Sequence, residues 1–145
     1  MQGKNISTAT LKSPFDISNI RVKTPYVCLV YSAQKDISKE DMERISDWLV
    51  STGCRYAVCA GEKCSEWHDA VDSAYISSDP NYSPPESRFI MTSWHTNETL
   101  EEIIWFWLMC TDYDDNMFEN YLLLVVGEQE GLVEKILNAV SKVES

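Results

Sequence analysis

The sequence predicts an α/β protein: a three-layer (αβα) domain, doubly wound about a four-stranded, mainly parallel sheet of Rossmann-like or flavodoxin-like type. Two patterns predict it. Four short runs are apolar almost throughout rather than alternating, as strands buried on both faces must be. Each is followed by a stretch with helical spacing, and such alternation implies crossovers between parallel strands. Right-handed crossovers then favour the strand order 2-1-3-4.

Residues 1–24 scatter Ser, Thr, Asn and Lys with little periodicity and read as an N-terminal arm, which leaves 25–145 as a single α/β domain. The first strand is "YVCLVYS" (26–32), β-branched and aromatic. The helix after it, 38–53, opens on Ser38 as cap, aligns Met42, Ile45, Trp48 and Leu49 on one stripe, and stops at Gly53. "RYAVCAG" (55–61) is the second strand, and 62–77 a helix with acid at its start, where the helix dipole favours it. Three prolines make 78–87 a loop.

"RFIMTSW" (88–94) is the third strand. Thr99 and Glu102 stand in capping-box spacing ahead of "IIWFWLMC", so 99–110 is a buried helix despite its β-like composition. On that helix Trp105 and Trp107 point to different sides, and at least one should be deeply buried. "YLLLVVG" (121–127) is the fourth strand. The closing helix, 131–143, puts Leu132, Val133, Ile136, Leu137 and Val140 on one face.

The 23 acidic and 12 basic residues give a formal charge of −11 at pH 7. That sign repels nucleic-acid phosphates and anionic membrane surfaces, so neither is an expected partner, whereas a basic protein suits it. The longest apolar run, 103–110, is too short to span a bilayer, and the first twenty residues lack a secretory pattern. Five cysteines, an odd number without disulfide-framework spacing, fit reduced thiols in a cytoplasm.

Three of those cysteines share "CRYAVCAGEKCSEWHD" (54–69) with a histidine. Cys59 lies near the carboxyl end of the strand and Cys54 just before its start; five residues of strand cover roughly 16 Å, too far for the two to ligate one ion. Cys64 and His68 share a helix face, but two ligands are short of the three or four zinc requires. No C-x-x-C occurs, and the thiols read as core with no metal expected.

"YVCLVYSAQKD", the later "WLVSTG", and "CSEWHDAVD" after a strand resemble pieces of Toll/interleukin-receptor domains. The resemblance implies an α/β fold and a glutamate that serves NAD cleavage. That position holds Asp72 here, the cysteine after the tryptophan is His68, and one strand–helix unit between the pieces is missing. The likeness covers about a third of the chain and is read as shared α/β grammar, without a claim on the family.

No cofactor is expected. The five glycines form neither a dinucleotide fingerprint nor a P-loop, no nucleophile elbow occurs, and "DYDDNMFE" (112–119) fails as a calcium loop because Met117 replaces the glycine. That stretch is the densest acidic patch in the chain. Asp112, Tyr113, Asp114, Asp115, Phe118 and Glu119 suit a docking surface for a basic partner.

The other candidate is positional. Order 2-1-3-4 puts a ligand crevice at the carboxyl ends of the first and third strands, lined by Ser32, Gln34, Lys35, Ser93, Trp94 and His95. His95, ahead of a capped helix, is the candidate general acid or base, with Glu98, Glu62 or Glu128 as its neighbour.

The expected function is protein–protein binding rather than catalysis, in the manner of small acidic bacterial immunity or antitoxin-like proteins that block a basic partner. The alternative is an enzyme or sensor holding a small ligand or nucleotide in the strand-end crevice. Homodimerisation through exposed tryptophans is the third reading.

Overall fold

The structure is a computed structural model that describes residues 4–114 and 116–144. Among those residues it is an α/β fold with five parallel strands and four α-helices. In chain order these are β1 (Asn5–Leu11), β2 (Tyr26–Ser32), α1 (Lys39–Ser51), β3 (Cys54–Gly61), α2 (Cys64–Ser77), β4 (Met91–His95), α3 (Leu100–Met109), β5 (Asn120–Val126) and α4 (Leu132–Glu144). The strands lie in the order β1-β5-β2-β3-β4.

Both the strand count and the strand order correct the sequence-based expectation. Asn5–Leu11, expected within an arm, forms a fifth strand on the outer side of β5, in register from Asn5 against Asn120 to Leu11 against Val126. The rest of the lead-in is fastened as well: Phe15 is buried, and Arg44 donates to the carbonyls of Phe15 at 2.9 Å and Pro14 at 3.2 Å. The last strand enters the middle of the sheet, between β1 and β2, instead of extending its far edge.

Burial explains that order. β5 and β2 carry almost nothing polar and are buried nearly end to end, so they take the centre. β4, with the sequence MTSWH, is only half-buried for most of its length and takes an edge.

Alternate residues of each central strand supply two separate cores. Cys28, Val30, Leu122 and Leu124 pack with Met42, Ile45, Leu49, Trp67 and Val71 from α1 and α2. Val27, Leu29, Leu123 and Val125 pack with Ile103, Ile104, Trp107, Leu132 and Ile136 from α3 and α4. The result is two helices on each face of the sheet.

The helix ends follow their sequence signals. Ser38 caps α1 by accepting from the Asp41 amide at 3.0 Å. At α3, Thr99 and Glu102 form the full reciprocal box, both bonds 3.1 Å. The expected third strand starts later than its composition predicts. The Phe89 carbonyl accepts from Arg55 Nε and the Tyr113 hydroxyl, and Glu86–Arg88 form a single 3-10 turn. Among the described residues no helix is long and apolar enough to cross a membrane.

Candidate functional site

Both histidines of the chain converge on β4, one from each side of the sheet. On the α3 side, His95 at the end of the strand is buried against the Phe106 ring, with centroids 4.6 Å apart. Its Nδ1 lies 2.8 Å from Glu98 Oε2, and its Nε2 lies 2.9 Å from the Ser93 hydroxyl. A carboxylate accepts from Nδ1–H, which leaves Nε2 as the acceptor for the serine proton; the tautomer is assigned from these contacts. Serine, histidine and glutamate thus stand in the order nucleophile, base and orienting group.

The backbone makes this arrangement. Ser93 and His95 are two apart on a strand and share a face, and Glu98 precedes the capped start of α3, which fixes its position. Tyr56, opposite Met91 on β3, borders the group; burial raises its phenol above the ordinary value, partly offset by its hydrogen bond with Ser93.

On the α2 side, Thr92 donates to Asp72 Oδ1 at 2.7 Å, while Asp72 Oδ2 lies 3.6 Å from His68 Nε2. His68 Nδ1 is 3.0 Å from Asp69, and the imidazole meets the Trp94 indole edge-to-face, centroids 4.5 Å apart. Trp94 is nonetheless 50% exposed. An edge strand thus carries a half-exposed indole packed on a histidine that two carboxylates flank.

The expected crevice between the first and third predicted strands, now β2 and β4, is not formed, because β3 lies between them. Ser93, Trp94 and His95 therefore stand apart from Ser32, Gln34 and Lys35. The sheet order reverses instead between β2 and β5. There Ser32 is buried, its hydroxyl meeting the Gln34 backbone, and Ala33 donates to the Val126 carbonyl at 2.8 Å. Gln34 rests on Gly127, where φ is +90° and a Cβ would come within 2.8 Å of the Gln34 side chain. Close packing fills this point, and Lys35 lies exposed beyond it.

The acidic segment lies at the opposite end of the strands, between α3 and β5. Two of its supposed anchors face inward, which corrects their assignment. Phe118 is 6% exposed in the α3/α4 core, and Tyr113 is half-buried with its hydroxyl 2.8 Å from the Phe89 carbonyl and 3.0 Å from that of Arg55. Asp112 accepts from the Phe118 amide at 3.0 Å and so braces the loop. Asp114 and Glu119 are exposed, and Asp115 lies outside the described residues.

The cysteines of "CRYAVCAGEKCSEWHD" (54–69) are structural in placement. Cys54, Cys59 and Cys64 are all buried. Burial pushes the Cys54 thiol up to about 12 and that of Cys59 well above its ordinary range.

Sequence reasoning named Ser93, Trp94, His95 and Glu98, met Asp72 only through the resemblance, and did not name Thr92 or Phe106 as partners. The i,i+4 spacing of His68 and Asp72 was the available signal. Neither the curated proteins nor the solved structures hold a match to the chain. Residues 6–143 do match one family over nearly the whole length, and the chain belongs to that family, described as a domain of unknown function (DUF7684).

Proposed function

We propose that this protein acts by binding another protein that carries positive charge. The observation that carries the reading is the formal charge of −11. Ion pairs such as Lys12–Glu128, Lys39–Glu43 and Arg44–Asp41 are largely exposed and leave the excess unneutralised. Such a field accelerates encounter with a basic surface. The class is that of small acidic immunity or antitoxin-like proteins, and the buried, unpaired thiols suit a bacterial cytoplasm.

Asp114 and Glu119 serve as steering charges in this reading, without Tyr113 or Phe118 as anchors. The double variant Asp114→Asn/Glu119→Gln should slow association with an identified partner severalfold at low salt, flatten its salt dependence and leave dissociation nearly unchanged. Asp112 is left in place because it braces the loop. An association rate indifferent to ionic strength removes the basic-partner reading.

The Ser93–His95–Glu98 chain favours a second reading, an enzyme acting on a small electrophilic ligand. Ser93 would pass its proton to His95 Nε2 on attack, with Glu98 holding the resulting imidazolium. Labelling of Ser93 by a fluorophosphonate, lost in His95→Asn, supports it; a folded wild-type protein that stays unlabelled counts against it.

A further inference from the structure

We infer that the open edge of β4 receives an extended, positively charged segment of the partner protein as a sixth strand. The inference rests on the protein-binding reading and adds the place and the mode of contact.

The two edges of the sheet differ in how they are guarded. Natural edge strands are commonly protected by lysine, proline or covering segments, because a row of free backbone N–H and C=O groups is a template for pairing. β1 is bracketed by Lys4, held on the Tyr121 ring and hydroxyl, and by Lys12, paired with Glu128. β4 (MTSWH) contains neither lysine, arginine nor proline. In its place stands Trp94, 50% exposed and fixed edge-to-face on His68, an anchor that has already given up much of its rotational freedom.

Charge selects the occupant. Asp72 bonds Thr92 and Glu98 bonds His95 on β4 itself, while Asp69 holds His68, which packs on Trp94; the three carboxylate side chains are 45%, 33% and 79% exposed. A strand laid along β4 alternates its side chains between the two sheet faces. Basic residues on one face then meet Asp69 and Asp72, and on the other Glu98, while the backbone ladder supplies binding that is blind to sequence. A neutral or acidic strand gains the ladder and loses the charge.

The test uses the full-length protein and three labelled synthetic peptides: nine residues alternating Val and Arg with Val at both ends, the same with Glu for Arg, and the Arg–Val peptide with Pro in place of its central Val. The Arg–Val peptide should bind at least about tenfold tighter than either control, because Pro keeps the charge but breaks the ladder. It should slow amide exchange at Met91–His95. Trp94→Ala, half-exposed and so expected to fold, should weaken binding about tenfold, and Asp69→Asn should weaken it less.

Protection that appears on β1 or elsewhere overturns the inference, as does equal binding of the Pro peptide. So does a native dimer whose β4 amides are already protected without peptide, since a second copy then fills the edge. If β4 stays silent while Asp114 and Glu119 still govern association of an identified partner, the edge assignment fails and the protein-binding reading stands. If association with that partner shows no salt dependence, the basic-partner reading itself fails.

Discussion

Trp105 and Trp107 stand two residues apart on α3 and meet opposite fates. Trp107 is fully buried, packed on Tyr121, with its indole N–H 3.5 Å from the Val27 carbonyl; Trp105 is 53% exposed. Trp107→Ala should cost about 3–5 kcal/mol in denaturant unfolding, whereas Trp105→Ala should stay within about 0.5 kcal/mol. The thiols make a second residue-scale expectation. Burial holds Cys28, Cys54 and Cys59 neutral past their ordinary range, Cys54 to about 12. A raised native pKa means the stabilisation is present below about pH 9, where unfolded thiols are also neutral, and is lost as pH climbs toward 12. The urea midpoint should therefore fall between pH 8 and 10.5, and a midpoint that rises contradicts the burial. At this scale the site was partly legible. Trp94 and His95 could be picked as chemistry-bearing residues at a strand end, but their contacts with His68 and Phe106 come from the packing of separate elements on one another, which spacing alone does not encode.

The helices were legible as elements because their ends are written in side chains that satisfy free amides. The box at α3 is the clearest case, and it also fixes Glu98 beside His95. Thr99→Ala should cost about 1 kcal/mol of stability, measured by chemical unfolding. Strand placement was harder to read. The expected order assumed that the fourth predicted strand extends the sheet past the third, whereas polarity carries the position: "YLLLVV" belongs in the middle and "MTSWH" at the rim. β1 was missed for the converse reason. Its sequence NISTATL is polar because an edge strand faces water along much of its length, and only Leu11 is fully covered. Composition therefore described an arm where hydrogen bonding makes a strand.

For the molecule as a whole, β5 is the element that joins everything, since β1 and β2 never touch as neighbours and each pairs only with it on that side. The chain leaves the ribosome from its amino end, so β1 emerges first and its only partner strand emerges fifth. Until residues 120–126 appear, the ladder that β1 will complete does not exist, although β2, β3 and β4 can already assemble side by side. The long separation makes this closure a slow, late event in folding. A fragment ending at residue 119 should accordingly show amide protection in β2 and β3 and none across Asn5–Leu11, whereas early protection of that stretch would mean it finds another partner first. The nascent chain thus carries β1 unpaired while residues 12–119 are made, and the Ser and Thr residues of NISTATL keep that waiting strand wettable.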